Sequence, residues 1–400
     1  MIKACDILIP NKEINLEKFA CVACDQFTGD KEYWQSVEST VGDAPSAYRM
    51  IFPEIYLGKN DDAKTESINR AMTEYLKNGV FTEIKDTMLY IERTLFDGRV
   101  RKGIVCAVDL ECYDYSKATR SLIRPTEGTI EQRLPARVKI RQNAPLELPH
   151  IMLLMNDENQ AILEQLHREP KQELYSSNLM QNGGSIKGWR LTKAQEAFVL
   201  EALKKIEVGN GENVIALAVG DGNHSLATAK KCWEAIKPTL TDEEKHSHPA
   251  RFALCEIVNL HDSSLDFEPI HRILYDVDVE KLVEMLKQHE SADGQKIEMI
   301  IGTAHREIRL APTHTLAVGT LQKLIDEYLS QNDGTVDYIH EPEQVEKNAQ
   351  KPNSVGLLVS GLEKAQLFSA VLNNGALPRK TFSMGMGRDK RYYLEARKIR

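Results

Sequence analysis

The sequence predicts a mixed α/β fold in two lobes. Strand-length apolar runs alternate with amphipathic helical stretches along most of its 400 residues. The apolar run 214–219 leads through a glycine turn into a helical pattern. Beyond about residue 276 the strands shorten and the helices carry polar outer faces. A chain this long normally forms two domains, and its 42% hydrophobic content fills their cores. We expect a core with an N-terminal extension over residues 1–275. A C-terminal α/β lobe is expected over 276–400, contributing a basic motif to the site.

The elements follow in order. Residues 7–10 read as a short strand closed by Pro10, and 19–24 as another. Helical periods mark 31–40 and 65–78. Strands 88–95 and 100–109 pair around Asp97-Gly98, a hairpin signal. A polar, basic segment spans 121–150, followed by strand 151–155 and helix 159–167. Helix 191–205 precedes the central turn, and 251–260 is apolar enough for an inner strand. Residues 268–272 continue as a short strand or turn. The C-terminal lobe has helices at 279–289, 320–331 and 342–349. Its strands lie at 298–301, 307–310, 336–339 and 355–359.

A net charge of −8 argues against a general nucleic-acid binder. No apolar run reaches the length of a membrane span. Asp6 falls where a signal peptide needs an apolar core, so we expect a cytoplasmic protein without membrane partners. The cysteines at 5, 21, 24, 106, 112, 232 and 255 are dispersed, which suits reduced thiols. Cys21 and Cys24 have redox or zinc spacing, but no second pair follows. Buried small hydrophobes are the better reading of both. A homodimer is the base-rate expectation.

The chemistry concentrates in three places. Gly220-Asp221-Gly222-Asn223-His224-Ser225 joins a buried strand to a helix, with Asn223 or Ser225 as candidate cap. Glycines allow close ligand approach, and helix N–H groups favour phosphate. Such a turn also occurs for geometry alone. The second place is Ile123-Arg124-Pro125-Thr126-Glu127-Gly128-Thr129, followed by Arg133, Arg137, Lys139 and Arg141. It offers Arg124 and Thr129 to a phosphate and Glu127 as a base or metal ligand. A solvated helix face with weak ion pairs is the alternative. The third is the C-terminal run with Arg379, Lys380, Thr381, Ser383, Arg388, Lys390 and Arg391. Cations interleaved with hydroxyls and glycines suggest an anion pocket, or else a charged tail. His271-Arg272 is a weaker candidate. Asp25-Gln26-Phe27-Thr28 closes a strand where α/β proteins place ligands, and capping explains it as well. Walker, kinase-loop, nucleophile-elbow and His-Glu-x-x-His signatures do not occur.

Taken in order, five motifs resemble those of domain-of-unknown-function family 1015. They are 24–28 with 32–34, 123–129, 220–224, 269–272 and 378–385. The strand-turn Asp-Gly-x-His is also similar to the signature turn of the ParB and sulfiredoxin superfamily, which includes free serine kinases. Asp221, Gly222 and His224 match that turn, while Asn223 and Ser225 replace a His and an Arg. The resemblance implies a ParB/sulfiredoxin-like core and a phosphotransferase in serine metabolism. Serine or O-phosphoserine would be the substrate, and ADP, ATP or pyrophosphate the phosphoryl partner. On this reading Glu127, Asp221 and His224 are catalytic, and Asp221 holds Mg²⁺. Arg124, Thr129, Gly220, Gly222, Asn223, Ser225, His271, Arg272, Arg379, Lys380, Thr381 and Ser383 surround phosphate and substrate. A phosphatase acting on O-phosphoserine and a nucleotide-sensing regulatory protein are the alternatives.

Overall fold

A computed structural model of the chain describes residues 1–58 and 61–400. It divides into two compact units, Met1–Leu265 with Met386–Arg400, and Asp266–Gly385. The expected boundary is 275/276. The structure divides the chain at 265/266 because Phe267–Pro269 pairs with Phe382–Met384 and so holds both crossing points together.

The first unit is built on a mixed sheet. Its strands are β1 (Leu89–Thr94), β2 (Val100–Asp109), β3 (Ile123–Pro125), β4 (Met152–Met155), β5 (Gln172–Asn178), β6 (Ser185–Arg190), β7 (Leu217–Asp221) and β8 (Phe252–Asn259). Their order is β5-β6-β1-β2-β8-β4-β7-β3, and Ile2–Lys3 adds to β2. The β8/β4 and β7/β3 pairs are parallel and the others antiparallel. The period of two along the strands sends side chains to opposite faces. Leu89, Ile91, Val105 and Leu254 enter one core. Tyr90, Ile104, Cys106 and Ile257 enter the other. With both faces covered, β8 is buried along its whole length.

Two helices of this unit begin on side-chain caps. In α1 (Lys31–Val41) the Asp30 side chain accepts from the Tyr33 N–H, and Trp34, Val37 and Val41 turn inward. Helices α2 (Asp61–Lys77) and α3 (Leu134–Arg141) follow, then α4 (Lys193–Lys205), opened by a Thr192–Gln195 capping box. Helix α5 (Asn223–Ile236) leaves the central turn. Two expected strands are shorter than the sequence suggests. Residues 214–219 split, because Asn213–Ile215 forms a hairpin with Val208–Asn210 before β7 begins. In 19–24 only Cys21–Val22 forms a strand, paired with Tyr392–Tyr393, and Phe19 ends a helical turn.

The second unit carries β9 (His271–Tyr275), β10 (Glu290–Ile301), β11 (Ala304–Leu310), β12 (Thr335–Ile339) and β13 (Val355–Val359). Helices α6 (Val279–Gln288), α7 (Ala317–Gln331) and α8 (Pro342–Ala349) alternate with them as expected. The sheet order is β11-β10-β13-β9-β12, and every neighbouring pair is antiparallel. All seven cysteines are free thiols. Among the described residues no helix is long and apolar enough to cross a membrane.

Candidate functional site

Three strands bring the first candidate site together. Val219 of β7 lies opposite Pro125 of β3 and Leu153 of β4. Because β3 runs parallel to β7 and β4 antiparallel, the residues after Pro125 and those before Met152 emerge at the Asp221 end. The Thr126 hydroxyl donates to the Val219 carbonyl at 2.6 Å and fixes one flank. The pairing with β4 shifts between Val219 and Asp221, at Gly220. Gly222 turns the chain with φ +77°, and a Cβ there would lie 2.9 Å from the Ile151 Cα. The turn therefore requires glycine on two separate grounds.

Helix α5 starts at Asn223, with Gly222 in the cap position and no side-chain cap bond. The sequence offers Asn223 or Ser225 as cap. Both lie inside the first turn, since the left-handed Gly222 already makes the corner. The first-turn N–H groups are thus not taken up by a cap side chain. Among the described residues, Asn223 Oδ1 and Thr129 Oγ1 are buried without a hydrogen-bond partner. Buried polar atoms normally find one.

Charge is arranged around this turn. Asp221 accepts from the Gly222 N–H at 2.8 Å and from Lys390 Nζ at 3.2 Å. His224 Nε2 accepts from the Ile130 N–H at 3.3 Å. Burial, then Arg137 and Arg133, push the His224 pKa down to about 4. The imidazole is therefore neutral near pH 7, with its proton on Nδ1. Glu127 is half-buried on the loop between Thr126 and Ile130.

The structure adds a group that no sequence motif marks. His150 Nδ1 lies 2.6 Å from the Tyr393 hydroxyl, and Nε2 lies 3.3 Å from Asp25 Oδ2 and 3.5 Å from Ser225 Oγ. Burial opposes charge on His150, but Asp25, with Asp221 and Glu54 beyond it, raises the pKa above the ordinary histidine value. Burial likewise opposes charge on Asp25, but His150, Gln26 and Lys390 hold its carboxyl well below the usual range. The two form an ion pair, His150 buried and Asp25 half-buried. His150 belongs to no local motif and Tyr393 only closes the C-terminal basic run, so only folding reveals the arrangement.

Arg124 does not join these groups. Its guanidinium donates to the Ser121 carbonyl, Asn213 Oδ1 and the Val214 carbonyl, toward the start of β7. Asp221 is engaged by Lys390, and among the described residues no group of three or more His, Cys, Asp or Glu is placed to hold a metal.

A family model described as "Protein of unknown function (DUF1015)" matches residues 8–398. The chain belongs to this family. No curated protein sequence matches the DUF1015 chain significantly. Among solved structures it is similar to a free serine kinase in complex with AMP. The identity is 10% and the TM-score 0.41, covering 74% of this chain and 92% of that one. A conserved hypothetical protein from Pyrococcus furiosus gives 11% identity and TM-score 0.38, over 74% and 95% of the two chains. SbnI with a C-terminal truncation from Staphylococcus aureus gives 11% and 0.36, over 70% and 82%.

The remaining expected residues of the DUF1015 chain lie in its second unit. Buried Arg272 donates to Gln322, the Ile270 carbonyl and the Arg379 carbonyl, and faces the Tyr338 ring. Arg379 donates to the Tyr338 hydroxyl at 2.8 Å and approaches Asp326. His271 Nδ1 accepts from the Val359 N–H at 3.2 Å, which leaves its proton on Nε2. Thr381 Oγ1 donates to the Pro378 carbonyl and Ser383 Oγ to the Gly385 carbonyl, while Lys380 holds φ +57°. The C-terminal basic run is therefore divided. Arg379 to Ser383 belong to the second unit, and Arg388, Lys390 and Arg391 to the first.

Proposed function

We propose that the first unit transfers a phosphoryl group to or from the hydroxyl of free serine or O-phosphoserine. ADP, ATP or pyrophosphate is the other partner. One observation carries the reading. The Asp221–Gly222 turn opens a helix without a side-chain cap between a carboxylate–lysine pair and a neutral histidine. Phosphoryl transfer needs positioning, charge neutralisation and a base near the hydroxyl. The α5 N–H groups and Lys390 meet the first two needs, and Glu127 takes the hydroxyl proton. His224 Nδ1–H donates to phosphate or to the acceptor. Mg²⁺ enters only as the ion that nucleotide or pyrophosphate brings with it. Serine as acceptor rests on the Asp221-Gly222-x-His224 likeness to free serine kinases.

Hydrolysis of O-phosphoserine is the second reading. Glu127 is partly open to solvent on its loop, where a water nucleophile would be held.

Melting temperatures with serine, O-phosphoserine, ADP, ATP, pyrophosphate and phosphate, each with and without Mg²⁺, test the proposal. A ligand bound only to the native state raises the melting temperature. A serine or O-phosphoserine shift that grows with a nucleotide or pyrophosphate supports transfer and names the partner. No shift with any of them removes the serine reading. Glu127→Gln should lose turnover while keeping fold and phosphate binding, and unchanged turnover removes Glu127 from the mechanism.

A further inference from the structure

Two proton-handling groups flank the Asp221–Gly222 turn on opposite sides. Glu127 follows β3 on one side of β7, and His150 precedes β4 on the other. In-line phosphoryl transfer places the attacking and leaving oxygens on opposite sides of phosphorus. A base on one flank is complemented by an acid on the other.

His150 has the surroundings of an acid. Its Nδ1 is fixed at 2.6 Å by the Tyr393 hydroxyl, which donates in turn to Cys24 Sγ and accepts from the Cys24 N–H, both at 3.2 Å. The Nε2 contacts, 3.3 Å to Asp25 and 3.5 Å to Ser225, are longer than an ordinary N–H···O bond. The Nε2 proton is held by Asp25 across a long contact, and Ser225 Oγ, in the first turn of α5, lies beside the same nitrogen. The groups acting on the ring are Asp25 in contact, with Asp221 and Glu54 farther out. Cys24 and Tyr393 stay neutral, because burial raises both thiol and phenol. Lys390 acts on Asp25. Arg391 reaches the neighbouring Pro149 carbonyl but is paired with Glu256 and Glu395.

We infer that His150, positioned by Asp25 and Tyr393, is the general acid for the leaving oxygen, opposite Glu127 as base. The inference rests on the phosphoryl-transfer reading above. In transfer to serine, the hydroxyl O–H breaks and its proton goes to Glu127. The serine oxygen bonds to phosphorus, the bond from phosphorus to the bridging oxygen of nucleotide or pyrophosphate breaks, and that oxygen takes the Nε2 proton. In hydrolysis, water attacks and the Nε2 proton goes to the departing serine oxygen. Asp25 and Tyr393 act through His150 as positioning residues.

The test compares wild type, His150→Gln, Asp25→Asn and Tyr393→Phe across pH. The substrates are serine with ATP, ADP or pyrophosphate, O-phosphoserine alone, and p-nitrophenyl phosphate, whose leaving group needs little protonation. Ring ¹⁵N NMR of His150 reports its protonation without turnover. His150→Gln should lose about 100-fold or more on O-phosphoserine, whose departing serine oxygen is strongly basic, together with the basic limb of that pH profile, and less than about tenfold on p-nitrophenyl phosphate and on serine with ATP, ADP or pyrophosphate, whose leaving oxygens are as weakly basic as p-nitrophenolate. Asp25→Asn should move that limb, and the NMR titration, to lower pH. If His150→Gln does not fold, the Asp25→Asn shift decides. O-phosphoserine turnover with an unchanged basic limb in His150→Gln, or a His150 that titrates below its ordinary value, overturns the acid role alone. Wild-type inactivity on every substrate overturns both the acid role and the phosphoryl-transfer reading.

Discussion

Lys390 Nζ lies 3.2 Å from Asp221 Oδ2, with only 11% and 15% of the two side chains exposed. A residue from the end of the chain thus completes the charge of the central turn. Lys390→Met leaves Asp221 partly buried and unpaired. We expect it to cost roughly 1–2 kcal/mol in chemical denaturation. Adding Asp221→Asn should restore most of that loss, giving a coupling in the double-mutant cycle. Additive losses would show that the two side chains do not act as a pair.

Gly222 faces a backbone wall, whereas Gly42 caps α1 with φ +53° and open space, nothing lying within 4 Å of where a Cβ would stand. Gly42→Ala should cost roughly 2 kcal/mol from backbone strain alone, because φ +53° with ψ −128° lies in a region that only glycine occupies readily. Gly222, at φ +77° and ψ +27°, is in the left-handed helical region, where alanine costs about 1 kcal/mol; the Ile151 contact should raise the loss for Gly222→Ala to roughly 3 kcal/mol or more, with loss of phosphate binding. A loss of only about 1 kcal/mol for Gly222→Ala would mean that β4 yields freely at Ile151.

The contrast between these glycines shows what the sequence can display. Strand, turn and helix around Asp221 are local, and local patterning reveals them together with the Asp97-Gly98 hairpin. The Asp25–His150–Tyr393 arrangement joins three distant stretches of chain. His150 ends a basic segment with no helical or strand period to mark it. Arg124 fails differently. Its charge suggests a phosphate, but β3 carries its guanidinium to the Asn213 side chain and two carbonyls. Lys390 is visible in the sequence only as one of several tail cations. Charge alone does not say which partner a cation finds. The break at Ala216 is hidden because apolar residues on both sides of it are buried, and hydrophobicity does not register a change of strand.

Arg391 holds the tail that carries Lys390 and Tyr393. It pairs with Glu256 at 2.9 Å and Glu395 at 2.8 Å, all three being buried. Gly103 makes room for this, since a Cβ there would lie 2.7 Å from Glu256 Oε1. Arg391→Met takes the shared cation from two buried carboxylates, leaving Glu256 to Arg101 and Glu395 to the Tyr175 hydroxyl, and should cost roughly 3 kcal/mol. Breaking the exposed Lys85–Asp6 pair should leave the denaturation midpoint unchanged. A small Arg391→Met effect would mean that the carboxylates take up protons at little cost.

The two histidines of the site should give stability opposite slopes with pH. His224, ordinarily near 6.5, is held at about 4 by burial, Arg137 and Arg133, so the folded state keeps it neutral. Below 6.5 the unfolded chain binds a proton that the folded chain refuses, and stability falls until about pH 4. The loss should be roughly 2 kcal/mol, below the full conversion of the shift because the ring is only half-buried and solvent screens it, and His224→Gln should flatten it. His150 is shifted upward despite its burial, through Asp25. Its contribution is complete below the ordinary histidine value and is lost as pH rises through the folded one. His150→Gln should therefore flatten the alkaline side and leave the acid slope in place. Denaturation midpoints across pH for the two variants measure this directly. If both variants flatten the same side, one of the two assigned charge states is wrong.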